Sequence, residues 1–272
     1  MTDRNPPREL RSAILTAALD ARPAGYPDPE ALPPQAVPYG LEVRKLDVLL
    51  REATAAQWDT TVLGGMTARQ LVDHLAGNDR SLAGLLPLDP PKADVQGASP
   101  EQSYRTWREQ AFALLRHAVF APLAGRVDFA GLSMPLGHAY LNRAFETWIH
   151  ADDIRLAIGR QADPPRPAHL RSLADLHIRS LPTALRLSGR DHVGRGARIS
   201  LTGAMTQEWF ISLSSNTPAD ADRPDVSITA DALEFCYLAA NRRTPEAVPL
   251  TVTGDREVAA DLLAAMTFFS DE

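Results

Sequence analysis

Cysteine is nearly absent from this 272-residue chain: Cys236 stands alone, which excludes an intramolecular disulfide and any thiolate cluster built by one chain around a metal. Lysine is almost as scarce, Lys45 and Lys92 being the only two, so nearly all basic residues are arginines. The formal charge is -6, and no basic run is present that would neutralise a row of phosphates, which argues against a nucleic-acid partner. No apolar run approaches the roughly 18 residues needed to cross a bilayer. The polar start Met1-Thr2-Asp3-Arg4-Asn5-Pro6-Pro7 also lacks the apolar core of a secretory signal. These absences predict a cytoplasmic protein without a membrane partner. The 44% of hydrophobic and 23% of charged residues are those of an ordinary globular chain.

Proline is concentrated rather than scarce. Residues 1–38 open with a short helical pattern over 9–21 and then carry Pro23, Pro27, Pro29, Pro33, Pro34 and Pro38, a density that predicts an arm laid over the surface rather than a regular element. Helical periodicity starts near Tyr39 and runs to about Gln57, with Leu41, Val43, Leu46, Leu49 and Leu50 on one stripe. A second helix starts at Thr67, where Thr67 and Gln70 have capping-box spacing, and is stopped by Pro87. A linker with Pro90, Pro91 and Gly97 leads to Ser99-Pro100-Glu101-Gln102, the cap of a third helix reaching about Phe120. A fourth is expected from near His138 to Ile158, with Gly159 as its stop, and a fifth over 168–187. Beyond Gly196 the period changes to the alternation of half-buried strands, at 198–202, 208–213, 225–229 and 248–253, with helices at 231–240 and 257–268. The expected architecture is α+β and multidomain: an arm over 1–38, a four-helix bundle within 39–190 and a small α+β domain over 191–272.

Three residues of the bundle carry chemistry. Glu146 and His150 are four apart, so on a helix both side chains lie on one face and can reach one cation. His74, on the second helix, would complete a set of two imidazoles and a carboxylate, which in a tetrahedral site leaves the fourth position open. Facing helices of a bundle build metal sites in this way. On spacing alone, a Glu and a His four apart, as Glu146 and His150 are, more often form an ordinary helical surface pair than a pair of metal ligands. Arg143 and Asp153 lie about one turn to either side and are candidates to orient the ligands from behind, although Arg143 could instead pair with Asp152 and Asp153 could bond within its own helix. Trp148 and Cys236 read as core residues, and His117, His138, His169, His177 and His192 lack partners at ligand spacing and read as surface or capping residues.

The chain resembles the mycothiol-dependent maleylpyruvate isomerase family over roughly residues 39–272. The resemblance is carried by Asp73-His74-Leu75-Ala76-Gly77, by Arg143-Ala144-Phe145-Glu146-Thr147-Trp148-Ile149-His150-Ala151-Asp152-Asp153-Ile154, and by a closing domain with Asn241-Arg242-Arg243 and Val252-Thr253-Gly254-Asp255. It implies a DinB-like four-helix bundle followed by a sterol-carrier-like α+β module. It further implies a divalent metal, usually zinc, held by His74, Glu146 and His150, with mycothiol as cosubstrate. Mycothiol is an actinobacterial thiol, and the arginine-rich, lysine-poor composition fits such a host. Where the family commonly has Leu-Pro-Gly-Trp-Thr before the second helix, this chain has Leu63-Gly64-Gly65-Met66-Thr67, a departure that bears on substrate identity more than on metal binding.

A metal-dependent enzyme using an external thiol follows as the expectation, because the nucleophile is the thiolate and a cation lowers the thiol pKa. The protein supplies no nucleophile of its own. Sulfur attack on an electrophilic small molecule leads to S-transfer or thiol exchange, or alternatively to cis-trans isomerisation of the maleylpyruvate type. Arg242 and Arg243 are candidates to grip a carboxylate of the substrate or the thiol's polar groups, or else form a solvated turn. Hydrolysis by activated water ranks lower, since it needs a spare general base and only Asp73 is near. A non-catalytic metal- or ligand-binding protein is the reading from another class.

Overall fold

The computed structural model describes residues 25–88, 99–214 and 217–270. The short helical pattern at 9–21 and most of the linker before Ser99, with Pro90, Pro91 and Gly97, lie outside the described residues. In chain order the elements are α1 (Val37–Glu52), α2 (Ala55–Trp58), a hairpin of β1 (Thr61–Leu63) and β2 (Met66–Thr67), α3 (Ala68–Ala83), α4 (Pro100–Phe120), a second hairpin of β3 (Arg126–Phe129) and β4 (Leu132–Pro135), α5 (Leu136–Ala157) and α6 (Pro167–Leu187). Then follow β5 (Gly196–Thr202), β6 (Gln207–Ser212), β7 (Val226–Asp231), α7 (Ala232–Ala239), β8 (Thr251–Gly254) and α8 (Arg256–Met266). The fold is a helical bundle followed by an α+β domain, and no helix among the described residues is long and apolar enough to cross a membrane.

Local chemistry accounts for most boundaries. The Thr67 hydroxyl accepts from the Gln70 amide while the Gln70 side chain accepts from the Thr67 amide, a complete capping box for α3. Ser99 caps α4, with Pro100 in the first turn where no amide hydrogen is needed. Gly159, at φ 77, ends α5, and the Arg160 amide closes back on the Arg155 carbonyl at 2.7 Å. The helix expected to run unbroken from Tyr39 to Gln57 is two helices: Thr54 and Gln57 form a second capping box, which starts α2 and leaves Ala53 extended. The β1–β2 and β3–β4 hairpins were not anticipated; Gly64 and Gly65 turn the first, and Ala130 and Gly131 the second, all at positive φ.

Four long helices, α1, α3, α4 and α5, form the bundle, with α1 against α5 and α3 against α4. Helix α5 is enclosed on nearly every side, burying Tyr140, Phe145, Trp148, Ile149 and Ile154. Part of the proline-rich arm lies on this bundle. Leu32 packs over Gly40, where a Cβ would come within 2.6 Å of its Cδ1. The Arg44 guanidinium donates to the Pro27 carbonyl at 2.6 Å, and the Tyr26 hydroxyl to Asp47 at 3.2 Å.

The second domain is a four-stranded sheet in the order β6, β5, β7, β8, with β5 and β7 parallel and the outer pairs antiparallel. Helix α6 is shared between the halves: it packs on α5 and also on α7, α8 and β6. A buried node joins them too. Asp152 of α5 accepts from the Trp148 indole at 2.8 Å and from the Tyr237 hydroxyl of α7 at 3.0 Å, while its other oxygen accepts from Arg155 and the Asp163 amide.

Glu42, on α1, is 1% exposed and pairs with Lys45 at 3.3 Å. Burial raises its pKa to about 7, with Lys45 opposing the rise. The folded chain therefore holds a proton that the unfolded chain has lost, so this group's stabilising contribution is complete below about pH 4.5 and is lost as the pH rises through 7. In Glu42→Gln the amide stays neutral, and the variant should gain about 2–3 kcal/mol relative to wild type between pH 5 and pH 8. Urea unfolding at the two pH values measures this, and a difference that does not change with pH would contradict it.

Candidate metal centre

Helices α3 and α5 meet along a face on which His74 and Asn78 of α3 oppose Arg143, Glu146 and His150 of α5. One donor atom each from His74, Glu146 and His150 lies within 4.8 Å of the others. The two imidazoles meet edge to face, with ring centroids 5.3 Å apart and planes at 88°. The sequence spacing accounts for the Glu146 and His150 half of this cluster. His74 is brought to it by the packing of α3 on α5.

The carboxylate is held from below. Arg143 is fully buried, and its guanidinium donates to Asp79 at 2.7 Å and to Glu146 Oε2. Burial works against the charged form of Glu146, but Arg143, His150 and the hydrogen bonds from Arg143 and Asn78 outweigh it and hold the carboxyl below its usual range. Glu146 is thus an anion at neutral pH. Asn78 Nδ2 donates to Glu146 Oε2 at 2.8 Å and lies 3.0 Å from His74 Nε2. Because an amide nitrogen only donates, that ring nitrogen is the acceptor and carries a lone pair. Arg143 has no bond to Asp152; the acids it serves are Asp79 and Glu146.

The second imidazole is set from the other side. Asp153 Oδ2 lies 3.1 Å from His150 Nδ1, and Arg242 grips Asp153 with Nε at 2.9 Å from Oδ1 and Nη2 at 2.8 Å from Oδ2. Burial is the largest influence on Asp153 and would raise its pKa, yet the hydrogen bonds from His150 and Arg242 carry the net shift downward. The ionised acid fixes the proton on Nδ1 and turns the Nε2 lone pair of His150 away from it. Arg242 reaches this position because Asn241 adopts φ 56, a left-handed turn that asparagine tolerates, closing α7 with a 2.8 Å bond from the Arg242 amide to the Tyr237 carbonyl. Arg243 points elsewhere, to Glu234 at 3.2 Å and over the Tyr237 ring at 5.2 Å.

Three residues of this neighbourhood were not singled out from the sequence. Asn78 and Asp79 follow His74 on α3, and Asn78 stands four residues on, a spacing that would have flagged it. His177, expected on the surface or at a cap, packs instead against Phe145 at a ring-centroid distance of 4.0 Å. Burial pushes its pKa down to about 4, with Glu146 pulling the other way, so it is neutral. His117 also differs: it is buried, with Nδ1 3.2 Å from the Tyr140 hydroxyl. Cys236 is fully buried, and burial pushes its thiol pKa far up, which leaves it unreactive.

Two imidazoles, which ligate only in their neutral form, and one carboxylate would offer N and O donors with a net charge of -1, a set suited to a divalent ion such as zinc and matching the ligand count of catalytic sites. The fold and this cluster define a helical-bundle protein with a His₂Glu donor set where the bundle meets a closing α+β domain. Residues 39–155 match the family described as mycothiol maleylpyruvate isomerase N-terminal domain. No curated protein matches the sequence. Two crystal structures share the fold. One is of the mycothiol-dependent maleylpyruvate isomerase and the other of a histidine-to-alanine mutant of it, at 18% and 17% identity, each covering 83% of this chain and 95% of the other with a TM-score of 0.52.

Asp153→Ala removes the acceptor that orients His150. Affinity for Zn²⁺, measured by competition with a chromophoric chelator, should fall about 10–100-fold. An unchanged affinity would mean that His150 needs no orienting acid.

Proposed function

We propose that the protein is an enzyme that binds a divalent cation through His74, Glu146 and His150 and uses a low-molecular-weight thiol, mycothiol, as cosubstrate against an electrophilic small molecule. The convergence of three donor atoms from two helices within 4.8 Å carries this reading. The family match over 39–155 and the fold shared with the isomerase support it. When bound, the cation supplies Lewis acidity that favours the thiolate form of a thiol at neutral pH.

The chain's own residues do the positioning. Arg143 keeps Glu146 ionised and aimed between the imidazoles, and Asp153 holds His150 in the tautomer that puts the ring lone pair on Nε2. Arg242 grips Asp153 and also lies 3.5 Å from His150 Nδ1, so it acts on that ring both through the acid and by contact, and it brings the second domain to the rim of the cleft. Among the described residues at the site, no side chain is a competing nucleophile. Asp73, the one nearby acid considered as a general base for hydrolysis, lies against Ser103 of α4, which favours thiol chemistry over water activation.

Two outcomes follow from sulfur attack on an electron-poor carbon. If the thiol displaces a leaving group or stays attached, the reaction is S-transfer or thiol exchange. If the attacked double bond becomes single, rotates and re-forms with loss of the thiol, the reaction is cis-trans isomerisation and the thiol is recovered; the family match gives this second reading its support.

The test is to measure zinc per chain, then to supply mycothiol with maleylpyruvate-type and other electrophiles and follow the products by mass spectrometry. Wild type should hold about one zinc and turn over only with thiol, while His74→Ala and Glu146→Gln should lose the metal and at least about 10²-fold in rate. Accumulated thiol adducts identify transfer, and an isomerised product with recovered thiol identifies isomerisation. Turnover that needs metal but no thiol would replace this reading with a hydrolase. Ligand binding that His74→Ala leaves intact, in a protein without metal, would replace it with a non-catalytic binder.

A further inference from the structure

Asn78 occupies an unusual place in the cluster. Its Nδ2 lies 2.8 Å from Glu146 Oε2 and 3.0 Å from His74 Nε2. An ionised carboxylate accepts and never donates, so the nitrogen rather than the oxygen of the amide faces the site. Its two hydrogens are then accounted for, one on Glu146 and one on the lone pair of His74. Both side-chain donors to Glu146, Arg143 and Asn78, converge on Oε2, which leaves Oε1 as the oxygen for a cation. The bond from Asn78 to Oε2 is therefore compatible with a loaded site. The contact with His74 is not, because one lone pair cannot bind a cation and accept a hydrogen bond together.

We propose that Asn78 is a ligand-binding residue: when a cation takes the His74 lone pair, the displaced Asn78 N–H becomes the donor to whatever fills the remaining coordination position, here a thiolate sulfur. The inference rests on the reading given under Proposed function. It follows from placement. The amide nitrogen that carries the released hydrogen lies 3.0 Å from His74 Nε2 and stays anchored to Glu146 at 2.8 Å. A donor left unpaired in such a cleft costs free energy until an acceptor arrives. An anionic ligand of the metal would offer an acceptor, and a hydrogen bond to a charged group is among the stronger kinds. Asn78 would thus make the site prefer a charged ligand over a neutral one only after the metal is in place.

The experiment uses the full chain loaded with Co²⁺, whose visible spectrum reports both its coordination and a sulfur ligand, titrated with mycothiol. Wild type is compared with Asn78→Ala and Asn78→Leu, the first removing the side chain and the second keeping its bulk without the donor. Thermal melts check that each variant folds. Both variants should bind one Co²⁺ at least as tightly as wild type, since the competitor for His74 is gone, and their apparent Kd for mycothiol should rise about 10-fold or more. Unchanged thiol affinity in Asn78→Ala, with Co²⁺ bound, overturns the proposal. Loss of Co²⁺ from both folded variants also overturns it and makes Asn78 a support for the ligands alone. A wild type that takes up no Co²⁺, or no thiol when loaded, defeats the underlying metal-and-thiol reading instead, so the two failures are distinguishable.

Discussion

One buried guanidinium organises the bundle. Arg143 is 0% exposed, and a cation in that position is tolerable only with counter-charges and good hydrogen bonds around it. Asp79 and Glu146 supply the charges, and the carbonyl of Leu75 lies 3.5 Å from its Nη2. Two of these partners are on α3 and one is on α5, so the arginine sets the relation between the helices that carry His74 and His150. Removing one partner of such a pair typically costs about 3–5 kcal/mol, because the other is left charged and dry. Structure and chemistry therefore rest on the same group: what holds the helices together also keeps Glu146 ionised.

The two imidazoles have supports of different origin. His74 meets an amide on its own helix that also bonds Glu146. His150 is set by Asp153, and Asp153 by Arg242, which enters from the α+β domain. That domain does more than cover the cleft. It completes the polar chain behind one ligand, and Tyr237, five residues earlier, bonds Asp152 beside it.

Much of this was legible from local signals. Capping boxes, a proline in a first turn and a glycine stop placed the long helices, because each acts through a few neighbouring residues. The four-residue spacing of Glu146 and His150 was legible for the same reason. The break after Glu52 was within reach as well, since Thr54 and Gln57 repeat the pattern read at Thr67 and Gln70. What escaped depends on contacts distant in sequence: Asp79 with Arg143 across 64 positions, Arg242 with Asp153 across 89, and His177 against Phe145. A lone histidine at 177 or an asparagine at 78 carries no periodic signature, and only the packed helices give either one a neighbour. The likeness to a known family added weight to His74 as the partner of the α5 pair, which spacing alone could not decide.

The Arg242 contact carries a thermodynamic consequence. Orienting His150 strengthens any cation it ligates, and by reciprocity the bound cation must reward the arrangement in which Arg242 reaches Asp153. If a cation binds there as proposed, its uptake and the seating of the sheet against the helices are coupled equilibria: filling the centre would clasp the two halves together, and prising them apart would loosen the ion.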